Sequence, residues 1–178
     1  MSHESFWDFS LRLYRLPQVS DTCLTLQNVH GFDVNLLLFA CWYGHTHGAV
    51  SPALLAEVLQ FSTHWSKEVV RPLRHARTWI KGELAQPLSQ VAALSGVAEL
   101  REKIKAVELR SEQLQQHALE RLAQESFRSH LSPRDQSPAP GAAAIAHNLL
   151  QLCEASTVPL TPALADLLQI LQEKPVLR

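Results

Sequence analysis

The chain has 178 residues, 46% of them apolar and 19% charged, with a formal net charge of −1. That length suits one folded domain with an appended segment, and it can bury a core without disulfide or metal staples. The balanced charge excludes a general nucleic-acid binder, which carries a basic excess, and three scattered cysteines exclude a secreted disulfide framework.

The first residues, from Met1 to Trp7, lack a basic stretch followed by an apolar one, which argues against a signal peptide. Apolar residues then recur at Phe6, Phe9, Leu13 and Leu16, and steps of three and four predict a helix over Ser2 to Leu16. Pro17 ends it, because the residue before a proline is pushed out of the helical region. A second helix is predicted from Val19 to His30, with Cys23, Leu26 and Val29 on one face and Gly31 as its C-terminal cap. Asp33 is placed to cap a third helix, flanked by the staple pair Phe32 and Leu37. That helix, Val34 to Tyr43, is apolar nearly all round, so other helices are expected to surround it. It is half the length of a membrane span.

His45 to Gly48 reads as a loop, and Ser51-Pro52 as the start of a fourth helix. A fifth covers Thr63 to Lys81, with Pro72 predicted to kink or split it near Val70-Arg71. The longest helical pattern runs from Ser89 to Phe127, with an early break at Ser95-Gly96. Within it Leu100, Ile104, Val107, Ser111, Leu114 and Ala118 alternate steps of four and three, a short coiled-coil-like seam. Ser129 to Gly141 carries three prolines and reads as a flexible linker. Two amphipathic helices follow, the second starting at Thr161-Pro162. No strand pattern and no internal repeat is present. The expected fold is all-α, a helical bundle around Val34–Tyr43 with a loosely attached C-terminal pair. The expected division is a core over 1–128, a linker over 129–141 and short helices over 142–178.

Four constellations bear on chemistry. Arg71, Arg74, Arg77 and Lys81 share one helix face, and arginine forks suit carboxylates and phosphates. Such rows are more often solvated or ion-paired inside a bundle, here with Asp8, Asp33 or Glu57 as partners. Cys41, His45 and His47 are metal-ligand types, but their spacing matches no common finger, and a buried cysteine beside a polar loop is the plainer reading. Asn35, Gln27, Asp8 and Ser10 could line a polar pocket or simply serve as caps and inter-helix bonds. The four tryptophans read mainly as packing. No phosphate-cradling, dinucleotide, nucleophile-elbow or zinc-protease motif occurs, so no cofactor is expected.

Certain segments carry a resemblance. Phe6-Trp7-Asp8-Phe9-Ser10-Leu11-x-Leu13-Tyr14, Asp33-Val34-Asn35-Leu36-Leu37-Leu38-Phe39-x-x-Trp42 and Arg71-Pro72-Leu73-Arg74-x-x-Arg77-x-x-Ile80-Lys81 resemble a proteobacterial family of small proteins defined as a domain of unknown function. The resemblance spans Ser5 to Ala123. It implies a bacterial, non-secreted helical protein and supplies no activity, cofactor or catalytic residue. It also implies that Trp7, Asp8, Asn35, Trp42, Arg71, Arg74 and Arg77 form one motif set around a site or polar network.

The reading that results is a cytoplasmic, non-enzymatic binding or adaptor protein. Its site would be Arg71, Arg74, Arg77 and Lys81 with Trp7, Asp8, Asn35 and Trp42, meeting a protein partner or a small anionic ligand. Neither membrane nor bulk nucleic acid is an expected partner, and residues 100–118 are the expected seam of a homodimer. The alternative is a small helical enzyme whose arginines clamp a phosphorylated or carboxylated substrate, with Asp8 or Asp33 as acid or base.

Overall fold

The computed structural model describes residues 4–82, 96–129 and 138–176. Among these every regular element is helical and no strand occurs. In chain order the helices are α1 (Phe6–Tyr14), α2 (Val19–His30), α3 (Val34–Thr46), α4 (Pro52–Trp65), a π-helical turn (Ser66–Val70), α5 (Arg71–Gly82), α6 (Val97–Ser129), α7 (Ala142–Ala155), α8 (Pro162–Glu173) and a 3₁₀ turn (Lys174–Val176). The chain divides into two units, one formed by 1–60 and 116–178, the other by 61–115. No helix among the described residues is long and apolar enough to cross a membrane.

Local chemistry sets the helix ends in the first unit. Ser5 caps α1 by accepting from the Asp8 amide, and its hydroxyl donates to the Asp8 carboxylate. Asp33 caps α3 through the Asn35 amide at 2.8 Å. Gly31 closes α2 at a φ of 75°, where its amide bonds back to the last turn. Thr161 and Pro162 open α8 in the expected cap-then-proline order.

Every residue of α3 from Asn35 to Gly44 is buried. The helix runs three residues beyond the predicted Tyr43. The backbone ladder continues to His47, whose amide donates to the Tyr43 carbonyl, and the Thr46 hydroxyl folds back onto the Trp42 carbonyl. In α2 the buried face is Val19, Thr22, Cys23 and Leu26, while Val29 is exposed, against expectation.

The C-terminal helices correct the expectation of a loosely attached pair. The most extensive helix pairing in the first unit is α3 with α7, and α8 packs on α2 and α7. Ala144, Ile145, Asn148, Leu149, Leu152 and Cys153 of α7 and Leu164, Leu168 and Leu171 of α8 are buried. Two features bring α7 onto α3. Gly44 has no side chain, so the Ile145 backbone approaches where a Cβ would stand only 2.7 Å away. Asn148 is 1% exposed and accepts from the Val50 amide while donating to the carbonyls of Gly48 and Ala40. Of the expected linker, 130–137 lies outside the described residues. Its end is fixed to the first unit: Ala49 donates to the Pro138 carbonyl and Gly141 to the Gly44 carbonyl.

In the second unit the interruption expected at Pro72 takes the form of the π-helical turn that precedes it. Proline has no N–H to give to a carbonyl four residues back, and the wider turn carries the Arg71 amide to the Ser66 carbonyl. The first part of α6 meets the end of α4 through Trp65, whose indole donates to the Ser111 carbonyl at 3.1 Å, and through Gln115, which donates to the Ser62 hydroxyl at 2.6 Å. The predicted helical pattern before Gly96 lies outside the described residues.

Candidate functional site: an arginine–glutamate network

The charge row of α5 divides in two. Arg74 donates from Nε to Glu108 at 2.9 Å and from Nη2 to Glu112 at 2.8 Å. Arg77 grips both oxygens of the same Glu108, from Nε and from Nη2. Residues 74 and 77 are one turn apart on α5, as 108 and 112 are on α6, so two short-spaced pairs interlock. Arg71 and Lys81, at the two ends of the row, are exposed.

Glu108 is the centre of the network and is 6% exposed. Burial opposes its ionisation, but hydrogen bonds and charge from Arg77 and Arg74 outweigh that and hold its carboxyl below the usual range. The Glu108 hydrogen bond raises the Arg77 guanidinium in turn. A carboxylate whose folded pKa is depressed adds stability above its unfolded pKa, about 4.3, and loses it as pH falls through the folded value. Glu108→Gln should therefore cost about 2 kcal/mol at pH 7, moderated by the partial exposure of both arginines. Its stability should also fall less steeply than the parent's between pH 6 and 3, measured by urea titration across that range. Parallel curves for the two proteins would refute the role given to this carboxylate.

The other predicted site residues lie in the first unit, not on this network. Trp7 is half-buried and Asp8 is exposed and engaged with Ser5. Asn35 is buried and accepts from Gln116 at 2.8 Å. Trp42 is buried, stacks on Phe6 at 5.2 Å, and its indole donates to the Glu4 carbonyl. Glu4 in turn takes both branches of Arg12. The motif set is thus spread over two units, and in the first it serves caps and core. Asp8 and Asp33, the acid–base candidates of the enzyme alternative, each sit at a helix cap.

Cys41 lies in the buried stretch of α3, where its thiol meets the Leu171 carbonyl at 3.7 Å and burial pushes its pKa well up. His47 stacks on Tyr43 at 4.9 Å and meets Trp42 and Phe127 edge-on. Among the described residues no group of three or more His, Cys, Asp or Glu side chains could hold a metal ion.

Sequence reasoning named Asp8, Asp33 and Glu57 as partners for the arginines and missed Glu108 and Glu112. The available signal was their own four-residue spacing, which matches the three-residue spacing of Arg74 and Arg77. Trp79 was read with the other tryptophans as packing, yet it is 44% exposed.

A family model described as a protein of unknown function, DUF2390, matches residues 5–119. The chain belongs to the DUF2390 family. No curated protein and no solved structure matches it. The DUF2390 match takes in α1 to α5 and α6 as far as Leu119, hence both members of every Arg–Glu pair between α5 and α6. It ends before α7 and α8, so the helices that complete the burial of α3 lie beyond it.

Proposed function

We propose that this protein is a binding or adaptor module whose contact surface is the exposed face of α5. The observation that carries this is Trp79, a large apolar side chain left 44% exposed. Arg71, His75 and Trp79 follow at four-residue steps on that face, all exposed, while Lys81 lies toward the Arg74 and Arg77 side of the helix. Tryptophan and arginine are the side chains that most often dominate binding energy at interfaces. The engaged arginines have a different part. Arg74 and Arg77, tied to Glu108 and Glu112, brace α5 so that the outer residues are presented on a fixed helix. The exposed Arg71 calls for a partner with a carboxylate at the contact. Three free cysteines support a reducing, cytoplasmic setting.

The test is a photo-crosslinking amino acid placed in living cells at position 79, with position 28, exposed on α2, as the control. A discrete crosslinked species is expected from position 79 alone. It should disappear when Arg71→Glu is added. Equal crosslinking from both positions, or a species indifferent to the charge reversal, would sink the reading.

A further inference from the structure

We propose that α6 seats an amphipathic helix of a partner protein whose flanks are acidic. This inference does not rest on the α5 face. Leu100, Val107 and Leu114 follow at seven-residue steps and are 52%, 53% and 42% exposed. Ile104 lies between them, half-buried. Together they form an apolar stripe about 21 Å long on one side of the helix. A seven-residue repeat is the spacing at which a second helix interlocks knob into hole.

The two flanks of the stripe differ, and that difference selects the occupant. One flank carries Lys103 and Arg110, again seven residues apart and both exposed. Lys103 pairs with Glu99 in the same helix, but that pair is solvated and holds it weakly. Arg110 donates to the neutral Gln113. The other side is closed: Ser111, a seam position between Val107 and Leu114, is already buried with its hydroxyl on the Glu108 carbonyl, and Glu108 on the flank is taken up by Arg74 and Arg77. A second copy of this chain, the occupant expected from the seam alone, fits poorly. Paired antiparallel, it would set Lys103 and Arg110 against their own counterparts. Paired parallel, it would set that basic rim against the closed flank, where no free carboxylate faces out. A helix with Leu-type residues toward the stripe and Glu or Asp along its edge meets both the apolar and the basic parts.

The experiment uses the full chain and a fluorescent heptad peptide with leucine at its core positions and glutamate at its edges. Glutamate there keeps the peptide from pairing with itself. A twin peptide carries lysine at the same edges. The acidic peptide should bind at least about tenfold tighter than its twin, as fluorescence anisotropy reads it. Val107→Glu should lower that affinity about tenfold or more. Lys103→Glu with Arg110→Glu should reverse the preference toward the lysine peptide, and Arg71→Glu with Lys81→Glu should leave it unchanged. All these positions are exposed, so the folded state should survive. Failure of the acidic peptide to bind, equal binding of both, or a preference unmoved by the Lys103 and Arg110 reversals overturns the proposal. So does a loss that follows Arg71 and Lys81 instead, or a dimer seen by sedimentation that Val107→Glu dissolves.

Discussion

Gly44→Val should lower the melting temperature by roughly 6–12 °C, a loss of about 3 kcal/mol at the upper end of what overpacking costs. A Cβ at Gly44 would stand 2.7 Å from both the Cα and the N of Ile145 and 2.8 Å from its Cγ1. Two of those three atoms are backbone, so no rotamer change relieves the clash. Helix α7 must move away from α3, and the Gly141 amide must loosen from the Gly44 carbonyl. The control is Gly31→Ala. It meets nothing within 4 Å, and its cost comes only from a φ of 75°, about 1 kcal/mol. Thermal melts of the two variants should rank them in that order. An unshifted Gly44→Val melt would mean that α7 does not sit on α3 in solution.

Asn148→Leu should cost about 3 kcal/mol, although leucine has the same branched side-chain skeleton as asparagine and more apolar surface. The Asn148 side chain serves three backbone groups, accepting from Val50 and donating to Gly48 and Ala40. Leucine leaves the Val50 amide and the Gly48 carbonyl without that partner, and a buried group so orphaned costs about 1–3 kcal/mol. Urea unfolding should show a lower midpoint with an unchanged slope, the mark of lost stability in an unaltered native state. A variant as stable as the parent would show that water replaces the amide. Because both substitutions act on the α3–α7 contact, the double variant should lose less than the sum of the two.

Much of the helical content was legible because periodicity and caps are local. Asp33, Ser51, Thr161 and Gly31 each terminate a helix where their side-chain chemistry predicts. What failed were properties that depend on neighbours. The stripe through Val29 was periodic, but burial in α2 follows what packs against it, so Thr22 is inside and Val29 outside. His45 to Gly48 looked like loop because polar residues and glycine cluster there, yet Thr46 bonds back into α3. The C-terminal helices looked peripheral because a proline-bearing segment precedes them. Nothing in Gly44 alone signals that Ile145 will rest against it, a hundred residues later. The arginine row was visible on its own face, but its partners required knowing that α5 and the first part of α6 lie side by side.

The hydrogen bonds that close the first unit also bear on how the chain reaches its folded form. Cys41 meets Leu171 across 130 residues, and Asn148 reaches Val50 across 98. Helical proteins usually fold fast because their contacts are local, and long loop closures slow the search. The interval between the two halves of this unit is not idle chain: within 61–115, Arg77 finds Glu108 across 31 residues. A chain emerging from the ribosome would therefore hold α3, with its run of buried apolar residues, covered only by α1 and α2 until α7 and α8 are made. The first helices of this protein are among the last to be sheltered, which makes its synthesis, rather than its finished state, the stage most exposed to aggregation.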